Sequence, residues 1–190
     1  MTGLTPLQQR LRDLLLERSV TRGDFVLASG RRSSFYIDAG RTTISGEGLA
    51  VVGALGLERL TARRWTPQAV GGLTLGGDPV AYAIVAAARE RGLSLDAFTV
   101  RRQPKAHGTA QRIEGCFEAG ISTVIVEDVI TTGGSAQEAI VAVESAGGRV
   151  LGVLAVVDRE EGGRDALERA GYPVEALVTA TELGLKDERR

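Results

Sequence analysis

VIVEDVITTGG, residues 124–134, decides how this chain folds. Three branched apolar residues run into two adjacent carboxylates, Glu127 and Asp128. Two more apolar residues, Val129 and Ile130, follow, and then the loop Thr131, Thr132, Gly133, Gly134, Ser135. The apolar run predicts a buried strand over 121–128, with both acids at its carboxyl end. Ser135 and Glu138 have the spacing of a capping box and predict a helix that stops at Gly147 and Gly148. Glycines let the backbone come close to a ligand, and a helix N-terminus presents unpaired N–H groups to an anion. The segment therefore offers donors for a phosphate and, just upstream, acceptors for hydroxyls. A ribose 5-phosphate carries both kinds of group. TTGGS alone would also suit an ordinary strand-to-helix turn; the two acids ahead of it argue for a ligand. No GxxxxGK[ST] and no GxGxxG after a strand occurs.

Working outward, the chain alternates. Thr5, Pro6 and Gln8 form a helix start, with Leu7, Leu11, Leu14 and Leu15 at helical spacing. Residues 25–44 alternate loosely around a Ser-Gly turn and predict two short strands. Ser45 caps a second helix. Strands are predicted over 68–73, 95–101, 150–158 and 174–179. Helices are predicted from Asp78 to Arg91 and near 164–170. Residues 102–115 show no apolar period and predict a long loop, a feature that is usually functional. Strand–helix alternation implies an α/β fold, a mostly parallel sheet with helices on both faces, which binds ligands at the carboxyl ends of its strands.

At 190 residues the chain suits one domain. A net charge of −1 provides no global field for nucleic acid or an acidic membrane, so neither is expected as a partner. A single cysteine, Cys116, excludes an internal disulfide. No run approaches the length of a membrane span, and MTGLTPLQQRLRD lacks the pattern of a secretory signal. The cytoplasm is the expected compartment. Lysine occurs only at Lys105 and Lys186, and the only histidine is His107. RRQPKAHG, residues 101–108, thus gathers Arg101, Arg102, Lys105 and His107 into one short Gly-ended stretch. Such a cluster can clamp a diphosphate and stabilise charge on a leaving group.

VIVEDVITTGGS resembles the phosphoribosyl-diphosphate signature of the type I phosphoribosyltransferases. Within them, three further segments are similar to the orotate-specific branch. FVLASGRRSSFYIDAG, residues 25–40, is similar to its S-G-x-x-S-x-x-Y segment. RRQPKAHG resembles its mobile catalytic loop, and VVDREEGG, residues 156–163, matches its D-R-x-E-x-G segment. The resemblance covers roughly residues 20–165. It implies a type I phosphoribosyltransferase fold, with an N-terminal hood over 1–45 and an α/β core over 66–180. It implies transfer of a 5-phosphoribosyl group from phosphoribosyl diphosphate to orotate, in pyrimidine synthesis, with Mg²⁺ bound mainly through substrate. By the same resemblance the chain forms a homodimer with shared active sites.

Site residues follow from the matched positions. Lys105, His107, Arg101 and Asp128 are the expected catalytic groups. Phosphoribosyl diphosphate is expected on Arg101, Arg102, Lys105, His107, Glu127, Asp128, Val129, Ile130, Thr131, Thr132, Gly133, Gly134, Ser135 and Gly76. Orotate is expected on Thr131, Arg159, Tyr36 and Ile37, with Arg159 taking its carboxylate. Glu127 and Asp128 accept the ribose hydroxyls and reach the metal through water. Three positions depart from the family pattern. Arg102 replaces a usual Lys, Ala28 stands where some members carry Lys before the S-G turn, and Gly76 stands where some carry Lys in LTLGGDP. The rival readings are a phosphoribosyltransferase for another base and a regulatory protein that keeps the fold without catalysis.

Overall fold

The computed structural model describes residues 3–26, 32–103 and 112–185. Helix α1, Pro6–Arg18, opens as its sequence dictates: the Thr5 hydroxyl accepts from the Gln8 N–H, and Gln8 Oε1 accepts from the Thr5 N–H. Strand β1, Val20–Val26, then pairs antiparallel with β2, Arg32–Ile37, as a separate two-stranded sheet. The pair begins earlier than the alternation at 25–44 predicts, because Thr21-Arg22-Gly23-Asp24 has the composition of a turn yet runs extended. A short helix α2, Gly40–Thr43, and α3, Gly46–Ala62, follow, the latter capped by the Ser45 hydroxyl on the Gly48 N–H at 3.1 Å.

The remaining elements alternate. They are β3 Ala69–Leu73, α4 Gly77–Glu90, β4 Asp96–Val100, β5 Ile113–Gly115, β6 Ser122–Ile130, α5 Gly134–Ser145, β7 Arg149–Asp158, α6 Gly163–Arg169 and β8 Val174–Thr179. The six-stranded sheet runs β5-β4-β3-β6-β7-β8 and is parallel except for β5. Three residues are too few to leave an apolar period, so β5 lies inside the stretch that the sequence predicts as loop.

The period-2 pattern of a strand divides β6 between two cores. Val124 and Val126 pack with α1, α3 and α4, while Ile125 packs with α5 and α6 on the other face. Strand β7 does the same with Leu154 and Val156 on one side, Val153 and Ala155 on the other. Phe35 and Ile37 of β2 join the first cluster, so the small sheet is anchored to the same core as α1 and α3. No helix among the described residues is long and apolar enough to cross a membrane.

Strand order sets where a ligand can enter. From β3 the chain winds one way to β4, and from β6 it winds the other way to β7 and β8. The switch point lies between β3 and β6, where open α/β sheets bind their ligands. Their pairing stops at Gly71↔Ile125, while β6 runs on to Ile130. Glu127 and Asp128 are the second and third residues of β6 beyond its last pair with β3, after Val126.

Candidate active site

Three loops meet at the switch point. The first, residues 74–77, leaves β3 through a cis Thr74–Leu75 peptide and turns into α4 at Gly76. The second, residues 131–133, leaves β6 for α5. The third, residues 159–162, leaves β7 for α6.

The second loop is built by two glycines from different elements. Gly133 takes the left-handed conformation, φ +83°, as the N-cap of α5. Gly163 donates its N–H to Thr131 O at 3.0 Å, and a Cβ built there would stand 2.5 Å from that oxygen. The D-R-x-E-x-G segment thus ends in a glycine because the loop after β6 lies against it. The expected capping box is absent: α5 has no side-chain cap, and Glu138 lies on Arg112 and, at 3.9 Å, on Arg102. With glycine as cap, no side chain among the described residues caps the first N–H groups of α5. A cavity of about 170 Å³ is lined by Glu127, Val129, Ile130, Thr131, Thr132, Gly133, Gly134 and Ser135, so one of the two acids shares a concavity with the loop, while Asp128 is not part of its lining.

The two acids point to different neighbours. Asp128 faces Gly76 across the switch point: a Cβ built on Gly76 would lie 2.7 Å from Asp128 Oδ1. That oxygen accepts from the Val129 N–H at 2.7 Å. Burial raises the Asp128 carboxyl above its ordinary range, against the pull of the Val129 N–H, and the charge of Asp38 adds to the rise. Asp38, which follows β2, thereby enters the site. Glu127 is buried, and its Oε1 has no hydrogen-bond partner among the described residues. Burial, reinforced by Asp128 and opposed by Arg102, pushes its carboxyl from 4.5 to about 8. A buried unpaired acceptor in a cleft is a place made for a donor that the protein itself does not provide.

Arg101 and Arg102, adjacent in sequence, diverge in space. Arg101 reaches Glu114 of β5 at 3.0 Å. Arg102 approaches Glu138 of α5, and its charge is the one that Glu127 feels. Lys105 and His107 lie outside the described residues, as does Ala28.

Arg159 is not a surface residue but 5% exposed. Its Nε lies 2.6 Å from Glu161 Oε1, its NH2 donates to the Ser33 hydroxyl at 3.1 Å, and its guanidinium sits 4.5 Å from the Phe35 ring centroid. The S-G-x-x-S-x-x-Y and D-R-x-E-x-G segments therefore touch, through Ser33 and Arg159. Ser33, Phe35, Asp38 and Glu161 were not among the expected site residues. Their signal was membership of the same short segments as Tyr36 and Arg159. Asp158, the first residue of that third loop's motif, is used structurally: it accepts from Arg164 Nε and from the Glu160 N–H, both at 2.8 Å. Tyr36 is half exposed, with its ring 5.8 Å from Phe25, and Ile37 is buried. Among the described residues strand β2 pairs with β1 alone, and the unpaired edge of a strand presents backbone groups that a ligand can meet.

Among the described residues no group of three or more His, Cys, Asp or Glu converges as a metal cage. One or two carboxylates in a cleft, one with an orphaned oxygen, fit the way Mg²⁺ is held when substrate phosphates and waters supply the other ligands.

No family model matches the chain. Its relatives do. The orotate phosphoribosyltransferase of Mycobacterium avium (strain 104) is 43% identical over 180 residues, spanning 95% of this chain and 98% of that protein. The Aquifex aeolicus enzyme of the same name is 40% identical over 93% of this chain and 97% of its own. Among solved structures, Mycobacterium tuberculosis H37Rv orotate phosphoribosyltransferase in complex with 5-phospho-alpha-D-ribosyl 1-diphosphate superposes with a TM-score of 0.81 at 39% identity, covering 95% of this chain and all of that one. Adenine phosphoribosyltransferase from Leishmania donovani, at 16% identity and a TM-score of 0.66, shares the fold. With some two-fifths of residues identical over nearly the full length of both proteins, the chain belongs to the orotate phosphoribosyltransferase family.

Proposed function

We propose that the chain transfers the 5-phosphoribosyl group of phosphoribosyl diphosphate to orotate, giving orotidine 5'-phosphate and diphosphate. The observation that carries this reading is an acid pair and a glycine-capped anion loop at one switch point, with a buried guanidinium on the adjoining loop after β7.

The 5-phosphate lies in the loop 131–135, where the α5 N-terminus and hydroxyls donate to it. Asp128 and Glu127 accept the ribose hydroxyls. The turn at Gly76 meets the diphosphate with backbone N–H groups. Orotate places its carboxylate on Arg159 and its ring edge on the backbone of Tyr36 and Ile37, with Thr131 donating from the loop. The bond between ribose C1 and the diphosphate oxygen breaks, and its electron pair leaves with the diphosphate. The orotate nitrogen forms the new bond to C1 from the opposite face, and its proton passes to the departing diphosphate. Positive charge builds on the ribosyl centre and negative charge on the leaving group, so cations near the diphosphate lower the barrier. Arg101, Arg102, Lys105 and His107 are the groups for that task. Glu127 and Asp128 would be the residues to hold Mg²⁺ beside the substrate, and the metal would supply charge that neutralises the diphosphate.

The same reading assigns the segment 101–108 to the active site of a second copy, in a homodimer, and the protein to the cytoplasm. Mixing Lys105→Ala with Asp128→Asn tests the sharing: a hybrid dimer restores one complete site, and activity returns on mixing only if the segment crosses over. The reaction itself is tested by following loss of orotate absorbance with phosphoribosyl diphosphate and Mg²⁺, with uracil and purine bases in parallel. Turnover of orotate alone is expected. Turnover of another base instead, or binding of phosphoribosyl diphosphate without turnover of any base, overturns the reading.

A further inference from the structure

The turn 74–77 carries no cationic side chain, so its hold on an anion depends on where its backbone N–H groups point. A chain of hydrogen bonds fixes that turn from outside. Thr74 Oγ1 donates to Asp78 Oδ2 at 2.7 Å, and Thr99 Oγ1 donates to Asp78 Oδ1 at 2.8 Å. The only hydroxyl proton of Thr99 is spent on Asp78. Tyr82, 3.1 Å from Thr99 Oγ1, must therefore be the donor in that contact. The direction is thus set along the whole chain: Tyr82 to Thr99 to Asp78, with Thr74 arriving from the other side. Donors and acceptors that align in this way strengthen one another.

The geometry does more than cap a helix. Asp78 sits in the first turn of α4, while Thr99 belongs to β4. The same strand also accepts the Thr74 N–H on Val100 O at 2.8 Å. The turn is thus tied to β4 at both of its ends, by Thr74 and by Asp78. Leu75, at its apex, is 81% exposed and contributes no packing that would hold it. On the inner side Gly77 is pressed on Gly72, where a Cβ would stand 2.8 Å from its Cα, so the turn cannot sink toward β3. The hydrogen bonds line a cavity of about 690 Å³, together with Arg101 and Arg102.

We propose that Asp78, with Thr99, is a positioning residue that sets the diphosphate-facing turn, and through it the affinity for phosphoribosyl diphosphate, without touching substrate. The inference rests on the reading above, in which that turn meets the diphosphate. Thr99 provides the clean test because it lies outside both the turn and the helix. Thr99→Val keeps the branched shape and removes the hydroxyl; Thr99→Ser keeps the hydroxyl. Expected for Thr99→Val is a rise of about tenfold in KM and Kd for phosphoribosyl diphosphate, the scale of one charge-assisted hydrogen bond, with KM for orotate and the melting temperature little changed. Thr99→Ser restores the affinity, and Asp78→Asn moves in the same direction as Thr99→Val. Binding is read by calorimetry as well as kinetics. Failure of the unaltered protein to bind phosphoribosyl diphosphate overturns the functional reading and this inference together. Normal binding by the unaltered protein with an unchanged Thr99→Val, a rise in both KM values alike, or no rescue by Thr99→Ser overturns this inference alone.

Discussion

Arg159 donates to the Ser33 hydroxyl over 3.1 Å although 126 positions separate them. The bond joins the loop after β7 to the small N-terminal sheet, and it orients a guanidinium that is otherwise held by Glu161 and Phe35. A planar fork suits a carboxylate only when its plane is fixed. Arg159→Lys keeps a positive charge near Glu161 but loses the fork. Its expected effect is a rise of about a hundredfold in KM for orotate, with KM for phosphoribosyl diphosphate nearly unchanged. Ser33→Ala removes one partner and costs about 1 kcal/mol, read as a rise of several-fold in the same constant. Initial rates with each substrate varied in turn decide this. An unchanged KM for orotate in both variants would leave Arg159 as a purely structural residue.

Glu127 gives a pH dependence whose sign is fixed. Its carboxyl is near 4.5 in the unfolded chain and about 8 in the folded one, chiefly through burial. Between those values the folded state keeps a proton that the unfolded state has lost. Stability from this group is therefore complete below 4.5 and declines as pH rises toward 8. Glu127→Gln, which cannot ionise, should flatten that decline, as followed by thermal melts across the range. A ligand that donates to the carboxylate favours its ionised form. Binding of phosphoribosyl diphosphate with Mg²⁺ at neutral pH should then release up to about one proton, measured by calorimetry in buffers of different ionisation enthalpy. Equal apparent enthalpies in all buffers would contradict the assignment.

Gly162 and Gly163 separate loop packing from backbone strain. Gly162 has φ +91° and open space where a Cβ would go. Gly163 has no such torsion but meets Thr131 O at 2.5 Å. Gly162→Ala should cost about 1–2 kcal/mol of stability and leave kinetics intact. Gly163→Ala should cost a comparable 1–3 kcal/mol and in addition displace the loop 131–133, raising KM for phosphoribosyl diphosphate about tenfold. The comparison is made by melts and initial rates side by side. Equal kinetic effects in the two variants would show that the loop does not depend on this contact.

How much of this was legible follows from the range of each signal. The capping box at Thr5, the cap at Ser45 and strand β8 are local and could be read directly. The spacing of Ser135 and Glu138 was equally local and misled, because Arg112 and Arg102 claim Glu138 across space. Strand β5 is defined by its partner β4, not by any period of its own. In the site, VIVEDVITTGG marked Glu127 and the loop, which line one cavity, whereas Asp128 turns toward Gly76. The divergence of Arg101 from Arg102 depends on Glu114 and Glu138, which adjacency in sequence does not reveal. The burial of Arg159 depends on Ser33 and Phe35, contributed by a distant segment.

The contact between Gly76 and Asp128 leads to a prediction that runs against charge alone. Gly76 has φ −59° and ψ −44°, which any residue can adopt, so backbone freedom does not require glycine here. Space does: a Cβ would lie 2.7 Å from Asp128 Oδ1 and 3.1 Å from Oδ2. Gly76→Ala should gain about 0.4–1 kcal/mol through the unfolded chain and lose a similar amount by displacing the carboxylate, leaving the melting temperature nearly unchanged. Activity should fall, because Asp128 is moved from the ribose position. Lysine at this position adds a cation beside the diphosphate, yet it carries the same Cβ. Gly76→Lys is therefore expected to bind phosphoribosyl diphosphate no more tightly than the unaltered protein, despite the added charge. Combining Gly76→Ala with Asp128→Asn separates the causes. If the Cβ acts through the carboxylate, the two losses in kcat/KM fall short of additive. Tighter binding by Gly76→Lys would mean that the carboxylate yields easily and that space does not require glycine here.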